Sequence, residues 1–260
     1  MNDGLLTGWK TSRIPIITTR SLDVREWERL GYSTIHKFGF NPDVDTGTTP
    51  EDVWDIGGVY TGFVAAAAAT EIVSSVAADA AAGTGAQQVK VYGLDTNLNE
   101  ISETVILTGV VPVVLANQYK RVYRAHTVVV GSGGVNAGDI DIRHTVGPVN
   151  LARISVGRGQ TLMAIYTIPA SYKEARLIGI SASVGRDLST TAELELRTSY
   201  QSEGLRVRDI AEPHSQGGVT GTERLVDLIL RPTEDVWIRV ASVTTNNTGI
   251  GATFDILLIP

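Results

Sequence analysis

Ala192-Glu-Leu-Glu-Leu-Arg-Thr198 alternates apolar and polar residues without a break, the period of a β-strand with one dry and one wet face. Six further runs share its character. They are Thr161-Leu-Met-Ala-Ile-Tyr-Thr-Ile168, closed by Pro169; Ala175 to Val184, closed by Gly185; Gly204-Leu-Arg-Val-Arg-Asp-Ile210; Arg224-Leu-Val-Asp-Leu-Ile-Leu230; Val236-Trp-Ile-Arg-Val-Ala241; and Ala252-Thr-Phe-Asp-Ile-Leu-Leu-Ile259. Short runs with turn residues at their junctions predict an antiparallel, jelly-roll-like β-sandwich over residues 151–260. That unit is expected to fold without the rest of the chain, with its last strand tying the C-terminal end into a sheet.

The same signal continues upstream over residues 61–150. Gln88-Val-Lys-Val-Tyr92, Ile101-Ser-Glu-Thr-Val-Ile-Leu107, the long run from Tyr119 to Val130, and Asp139-Ile-Asp-Ile-Arg143 are separated by glycine-rich turns, among them Gly131-Ser-Gly-Gly134. This spacing predicts a second sandwich. The alanine-rich stretch from Val64 to Ala82 is pulled two ways, because alanine favours helix while Ile72-Val-Ser-Ser-Val76 favours strand. The Gly83-Thr-Gly85 break and its β surroundings favour strand and loop.

Residues 1–60 show little alternation. Ser21 to Leu30 has a serine N-cap and acidic residues in its first turn, so a short helix ended by Gly31 is expected there. The remainder, with Pro15, Pro42, Pro50 and Thr46-Gly-Thr-Thr49, reads as an extended N-terminal arm. Trp9, Ile14, Ile16, Ile17, Trp27, Phe38, Phe40 and Trp54 are too apolar for a solvated linker, since burying each is worth roughly 1.5–3 kcal/mol. They are the assembly-arm candidates, to be buried against a neighbouring subunit or against the chain's own sandwiches. The expected organisation is therefore all-β: arm 1–60, sandwich 61–150, sandwich 151–260.

Composition narrows the function classes. The chain of 260 residues carries a net charge of −6, and dividing it at residues 60 and 150 leaves −3, −2 and −1, so no basic block suggests a nucleic-acid partner. Cysteine is absent, which excludes disulfides, thiolate nucleophiles and cysteine-ligated metal centres. Met1-Asn2-Asp3-Gly4 lacks a basic leader region, and no run of 18 apolar residues occurs, so neither a secretory signal nor a membrane partner is expected.

Candidate sites are few. The pairs Gly57-Gly58 and Gly217-Gly218 and the cluster at Gly131 lack the Lys-Ser/Thr and helix that a phosphate cradle needs, and read as turns. Glu193/Glu195 and Asp139/Asp141 are spaced to share a solvated strand face rather than to form a glycosidase pair. His36, His126, His144 and His214 are scattered, without metal-ligand spacing, and no G-x-S-x-G elbow marks a nucleophile. Asp43-Val-Asp-Thr-Gly47 resembles the opening of a calcium loop but lacks the third oxygen ligand and the final glutamate, so a hydrogen-bonded turn is expected. Asn246-Asn-Thr248 reads as a turn between strands. Catalytic residues, cofactors and metals are all expected to be absent.

Four stretches carry a resemblance. They are His36-Lys-Phe-Gly-Phe-Asn-Pro-Asp-Val-Asp-Thr-Gly47 with Glu51-Asp-Val-Trp-Asp-Ile-Gly-Gly58; Val91-Tyr-Gly-Leu-Asp95 with Glu100-Ile-Ser-Glu-Thr104; Gly159 to Ala170; and Trp237 to Asn247. Across about residues 36 to 258 the chain resembles a family of virion structural proteins of environmental tailed bacteriophages. The resemblance implies a virion component without catalytic residues, and no site residue carries over. Phe40 and the alanine run depart from the usual pattern. Small all-β domains with an arm suit a capsid decoration or cement protein, with the major capsid protein as partner and symmetric self-association, as a trimer, on a local axis. A tail or neck fibre-adaptor contacting neck and tail proteins is the second structural reading. A carbohydrate-binding role for the C-terminal sandwich, using Trp237, Tyr166, Tyr172 or Tyr200, is the third.

Overall fold

The computed structural model describes residues 31–186, 189–200, 203–215 and 218–260. Among them are seventeen strands and no α-helix, so no helix there is long and apolar enough to cross a membrane. The chain is all-β. The expected helix at Ser21–Leu30 and the arm candidates Trp9, Ile14, Ile16, Ile17 and Trp27 lie outside the described residues.

In chain order the strands are β1 (Ser33–Val44), β2 (Glu51–Asp52), β3 (Ala68–Ser74), β4 (Ala86–Leu94), β5 (Glu100–Ile106), β6 (Val113–Tyr119), β7 (Arg121–Val130), β8 (Ile140–His144) and β9 (Asn150–Ile154). Then follow β10 (Ile165–Thr167), β11 (Glu174–Arg186), β12 (Thr190–Ser199), β13 (Leu205–Ala211), β14 (His214–Ser215), β15 (Gly218–Leu230), β16 (Asp235–Val243) and β17 (Thr248–Ile259). A four-stranded sheet β6-β3-β8-β9 and a three-stranded sheet β5-β4-β7 enclose one core. A four-stranded sheet β1-β17-β11-β15 and a six-stranded sheet built on β10-β16-β12-β13 enclose the other.

The first core is aliphatic away from its aromatic edge: Ile72, Val89, Val91, Val105, Leu115, Val122, Ile140, Ile142, Leu151 and Ile154 lie buried between its two sheets. The second holds Leu177, Val184, Leu194, Leu196, Val236, Ile238, Val240, Phe254, Ile256 and Leu258. Most of these lie in the runs quoted above, many at every second residue, as at Leu194 and Leu196 or Phe254, Ile256 and Leu258, whereas Leu115, Leu151 and Ile154 lie outside them. The strictest alternation, in β12, becomes a strict buried/half-buried alternation in the sheet. The alanine-rich stretch is strand and loop, with β3 at its centre, and β17 is an inner strand between β1 and β11.

The expected boundaries need correction. Residues 33–60 are not an arm. β1 is a twelve-residue strand paired antiparallel along its length with β17, from Ser33 opposite Leu258 to Val44 opposite Thr248. β2 pairs with β16, Glu51 opposite Val240, and Val44 and Val53 sit in the second core. The chain therefore starts the second sandwich, leaves it to build the first with β3 to β9, and returns at β10. A break at residue 150 falls inside β9, and residues 151–260 by themselves lack two strands of their own sandwich.

The reason lies in β1. Its inward positions are Ile35, Lys37, Gly39 and Asn41, while Phe38 and Phe40 point the other way and are half-buried. Polar inside and aromatic outside inverts the usual pattern, so the alternation does not register as a strand. Gly39 is required: a Cβ there would stand 2.3 Å from the Ala164 nitrogen and 2.5 Å from the Val53 oxygen, both backbone atoms. The long Tyr119–Val130 run is β7 from Arg121 on, its first residue being the last of β6, and the chain changes sheets at Lys120 without a turn residue to mark it.

Candidate functional site

The two sandwiches meet along a seam that β10 and β16 create by using both faces. Tyr166, Val236 and Ile238 point into their own core, while Ile165 and Trp237 point into the first. Trp54, Tyr60 and Met163 join them there. The rings form a continuous chain: Trp54 on Tyr60 at 4.9 Å, Tyr60 on Phe63 at 5.0 Å, and Phe63 on Trp237 at 5.0 Å. The Tyr60 hydroxyl donates to the Leu151 carbonyl at 3.0 Å, and burial pushes its pKa up. Trp54, an arm candidate, is thus part of the internal seam.

Buried ionic groups lock the seam. Arg121 donates to both oxygens of Asp235, at 3.1 and 3.0 Å, and to the Val64 carbonyl at 2.7 Å. Its guanidinium also lies over the Phe63 ring. Thr167 donates to the same Asp235. From β1, Lys37 donates through Nζ to the Tyr123 carbonyl of β7; burial, aided by the Arg124 charge, lowers its pKa to about 7. Asp52 receives Arg239 at 2.6 and 2.8 Å and the Tyr60 amide at 2.7 Å. Asp55, accepting from the Leu162 amide at 2.6 Å, is raised by burial to about 6.

Beside this lock lies a cleft of about 560 Å³, bordered by Phe63, Leu98, Lys120, Ser199, Thr233 and Asp235. It has the size and the inter-domain position typical of ligand sites. Its chemistry is limited, however: Asp235 is held by Arg121 and Thr167, and Trp237 on its wall is buried. Hydroxyls there have no histidine or free carboxylate in the lining to activate them. Tyr166, another candidate for sugar stacking, is buried in the second core.

The remaining sequence candidates disperse. His36 pairs with Asp255 at 2.6 Å, and His144 contacts the Tyr119 carbonyl at 2.9 Å. His214 contacts the Thr191 hydroxyl at 2.8 Å. His126 stacks on Tyr92, and burial with Arg124 and Lys90 nearby depresses its pKa. Asp139 and Asp141 both face Arg153, and Glu195 pairs with Arg197. Asp45 accepts the Asn247 amide at 2.6 Å, tying its loop to the β16–β17 turn. On the outward face of β1, Phe38 stacks on His36 and Phe40 lies under Arg158.

Sequence reasoning missed one surface. Seven of the fourteen large aliphatic side chains that stand exposed among the described residues lie between Ile106 and Val130, with exposures of 36–62 %. Ile106 and Val129 flank Gln88 on one sheet face, each opposite it in register. The available signal was the pair of valine runs at Val110-Val111 and Val128-Val-Val130, next to loops almost free of charge.

No family model matches the chain, and no curated protein does. Among solved structures, it aligns with the VP2 subviral particle protein of infectious bursal disease virus at 11 % identity and a TM-score of 0.20, covering 88 % of this chain and 72 % of that one. A chain from T=1 particles derived from infectious bursal virus aligns at 10 % identity and a TM-score of 0.13, covering 88 % of this chain and 78 % of that one. Likeness at this level establishes no common fold, and no functional argument rests on it.

Proposed function

We propose that this chain is a non-enzymatic structural protein of a virus particle, and within that class a decoration or cement protein bound to a shell of major capsid subunits. The observation that carries the reading is the concentration of exposed aliphatic side chains at one pole of the first sandwich. Exposed apolar surface of this kind acts by being covered. The cleft, where an enzyme or a sugar-binding module would hold its chemistry, has its carboxylate neutralised and its tryptophan packed away. The sequence resemblance to virion proteins of tailed bacteriophages supports the same class.

The test is the location and copy number of the labelled chain on purified particles. Hundreds of copies over the shell are expected. A few dozen or fewer, clustered at the neck or tail, would replace the decoration role with that of a fibre-adaptor. Absence from purified particles would overturn the virion assignment altogether.

A further inference from the structure

β13 is turned inside out. Its pairing with β12 sets Arg206 opposite Thr198 and Val207 opposite Arg197, and residues paired across antiparallel strands share a sheet face. Thr198 lies on the buried face of β12, in phase with Leu194 and Leu196. Arg206 therefore stands on the side of the second core, while Leu205, Val207 and Ile210 are 43–50 % exposed.

This reversal builds a crevice of about 70 Å³ at one end of that core, lined by Thr198 of β12, Arg206 and Arg208 of β13, and Arg231 and Glu234 of the β15–β16 turn. Two of the three guanidinium groups are held in place. Arg206 and Arg231 both donate to Glu203, at 2.9 and 2.6 Å, and Arg231 also lies over the Tyr200 ring at 4.9 Å. The buried Glu234 accepts the Arg231 backbone amide at 2.9 Å. Arg208 is left over: it is half-buried, with no ion-pair or hydrogen-bond partner among the described residues. The Thr198 hydroxyl is also buried without a partner.

A guanidinium group only donates and stays charged at every pH a protein meets, so the group that completes the crevice is an acceptor carrying negative charge. We propose that it is a tetrahedral oxyanion, phosphate or sulfate, bound by Arg208 and Arg206 with the Thr198 hydroxyl donating from the floor. The size agrees: at about 10–15 Å³ for each water-sized sphere, the space takes roughly five, as many as the heavy atoms of such an ion. A carboxylate group would fill little more than half of it. Three arginines against two glutamates leave the lining positive on a chain whose net charge is −6, so anions are drawn to this spot rather than to the surface at large. An ion seated there ties β13 to the β15–β16 turn, and the site does not depend on the assembly role proposed above.

Arginine Nε–H resonances of the full chain, followed by NMR at pH 7 and constant ionic strength, test this with sodium phosphate, sulfate, acetate and chloride as probes. Phosphate and sulfate are expected to shift the Arg206 and Arg208 resonances saturably, and chloride to leave them in place. Arg208→Gln should weaken phosphate about tenfold or more, the worth of one charge-assisted hydrogen bond, and Thr198→Val should weaken it less. Arg124→Gln, which removes an exposed arginine of β7 in the first sandwich, should leave the affinity unchanged. Shifts that grow without saturation and match those at Arg124 would reduce the effect to screening and overturn the proposal. Phosphate affinity in Arg208→Gln equal to wild type would overturn it too. Acetate saturating the same resonances as tightly as phosphate would replace the tetrahedral ion with a carboxylate. Should Arg208→Gln fail to fold, the wild-type titration alone decides.

Discussion

Replacing Lys37 by Met should raise stability at neutral pH and lower it in alkali. Lys37 is 7 % exposed on the inward side of β1, and burial beside Arg124 brings its pKa from 10.5 to about 7. A depressed pKa in the fold means that the unfolded chain binds the proton more tightly. Stability is then fully present above pH 10.5, falls as the pH is lowered, and levels off once the folded-state value near 7 is passed. At about 1.4 kcal/mol per pH unit, the penalty at pH 7 is about 4 kcal/mol. Met fills nearly the same space without it, but leaves the Tyr123 carbonyl without its donor, at a cost of about 1–3 kcal/mol. The variant should therefore gain about 2 kcal/mol at pH 7 and lose about as much at pH 10.5. Urea unfolding at pH 7, 8.5 and 10.5 measures this. A variant destabilised equally at all three would show that Lys37 is charged and well compensated in the fold, and would refute the reasoning.

Other changes probe the remaining joints. Gly39→Ala forces a methyl group into the Ala164 and Val53 backbones and should cost about 3 kcal/mol or more by thermal unfolding. Arg121→Met strands the half-buried Asp235 and should cost about 3 kcal/mol, the low end for a buried pair; Asp235→Leu added to it should recover much of that loss. Asp79→Ala removes the acceptor of three backbone amides, each worth about 1–3 kcal/mol when left unpaired. Hydrogen exchange should then accelerate at Ala86, Ala137 and Gly138 while the β11 and β17 amides stay protected.

The topology has a consequence for how the molecule bears load. Because β1 and β17 are paired neighbours and the first sandwich lies between β2 and β10 in the chain, the first sandwich joins the second through two chain crossings. The aromatic chain and the Arg121–Asp235 pair lie between those crossings. A partner held at the far pole is thus coupled to the second sandwich through a packed, ion-paired seam rather than a single linker.

The all-β class could be read directly from the chain, because a strand with one buried face records its environment at every second residue. Ala192, Leu194 and Leu196 became core, and the Asn246-Asn247 turn appeared where its residues called for one, with Asn247 at φ 52°. β1 escaped because its inward positions are filled by Lys37, Gly39 and Asn41, residues chosen by what crosses them from Val53, Ala164, Tyr123 and Glu51. Tyr123 and Ala164 are remote in sequence, and only folding brings them within reach of β1. The same holds at the pole: valine runs are visible in the sequence, but the sequence cannot distinguish a buried valine run from one held outward. Local periodicity therefore determined most of the strand segments, whereas β1, the insertion of one sandwich into the other, the locked seam and the exposed pole were decided by contacts that no local pattern encodes.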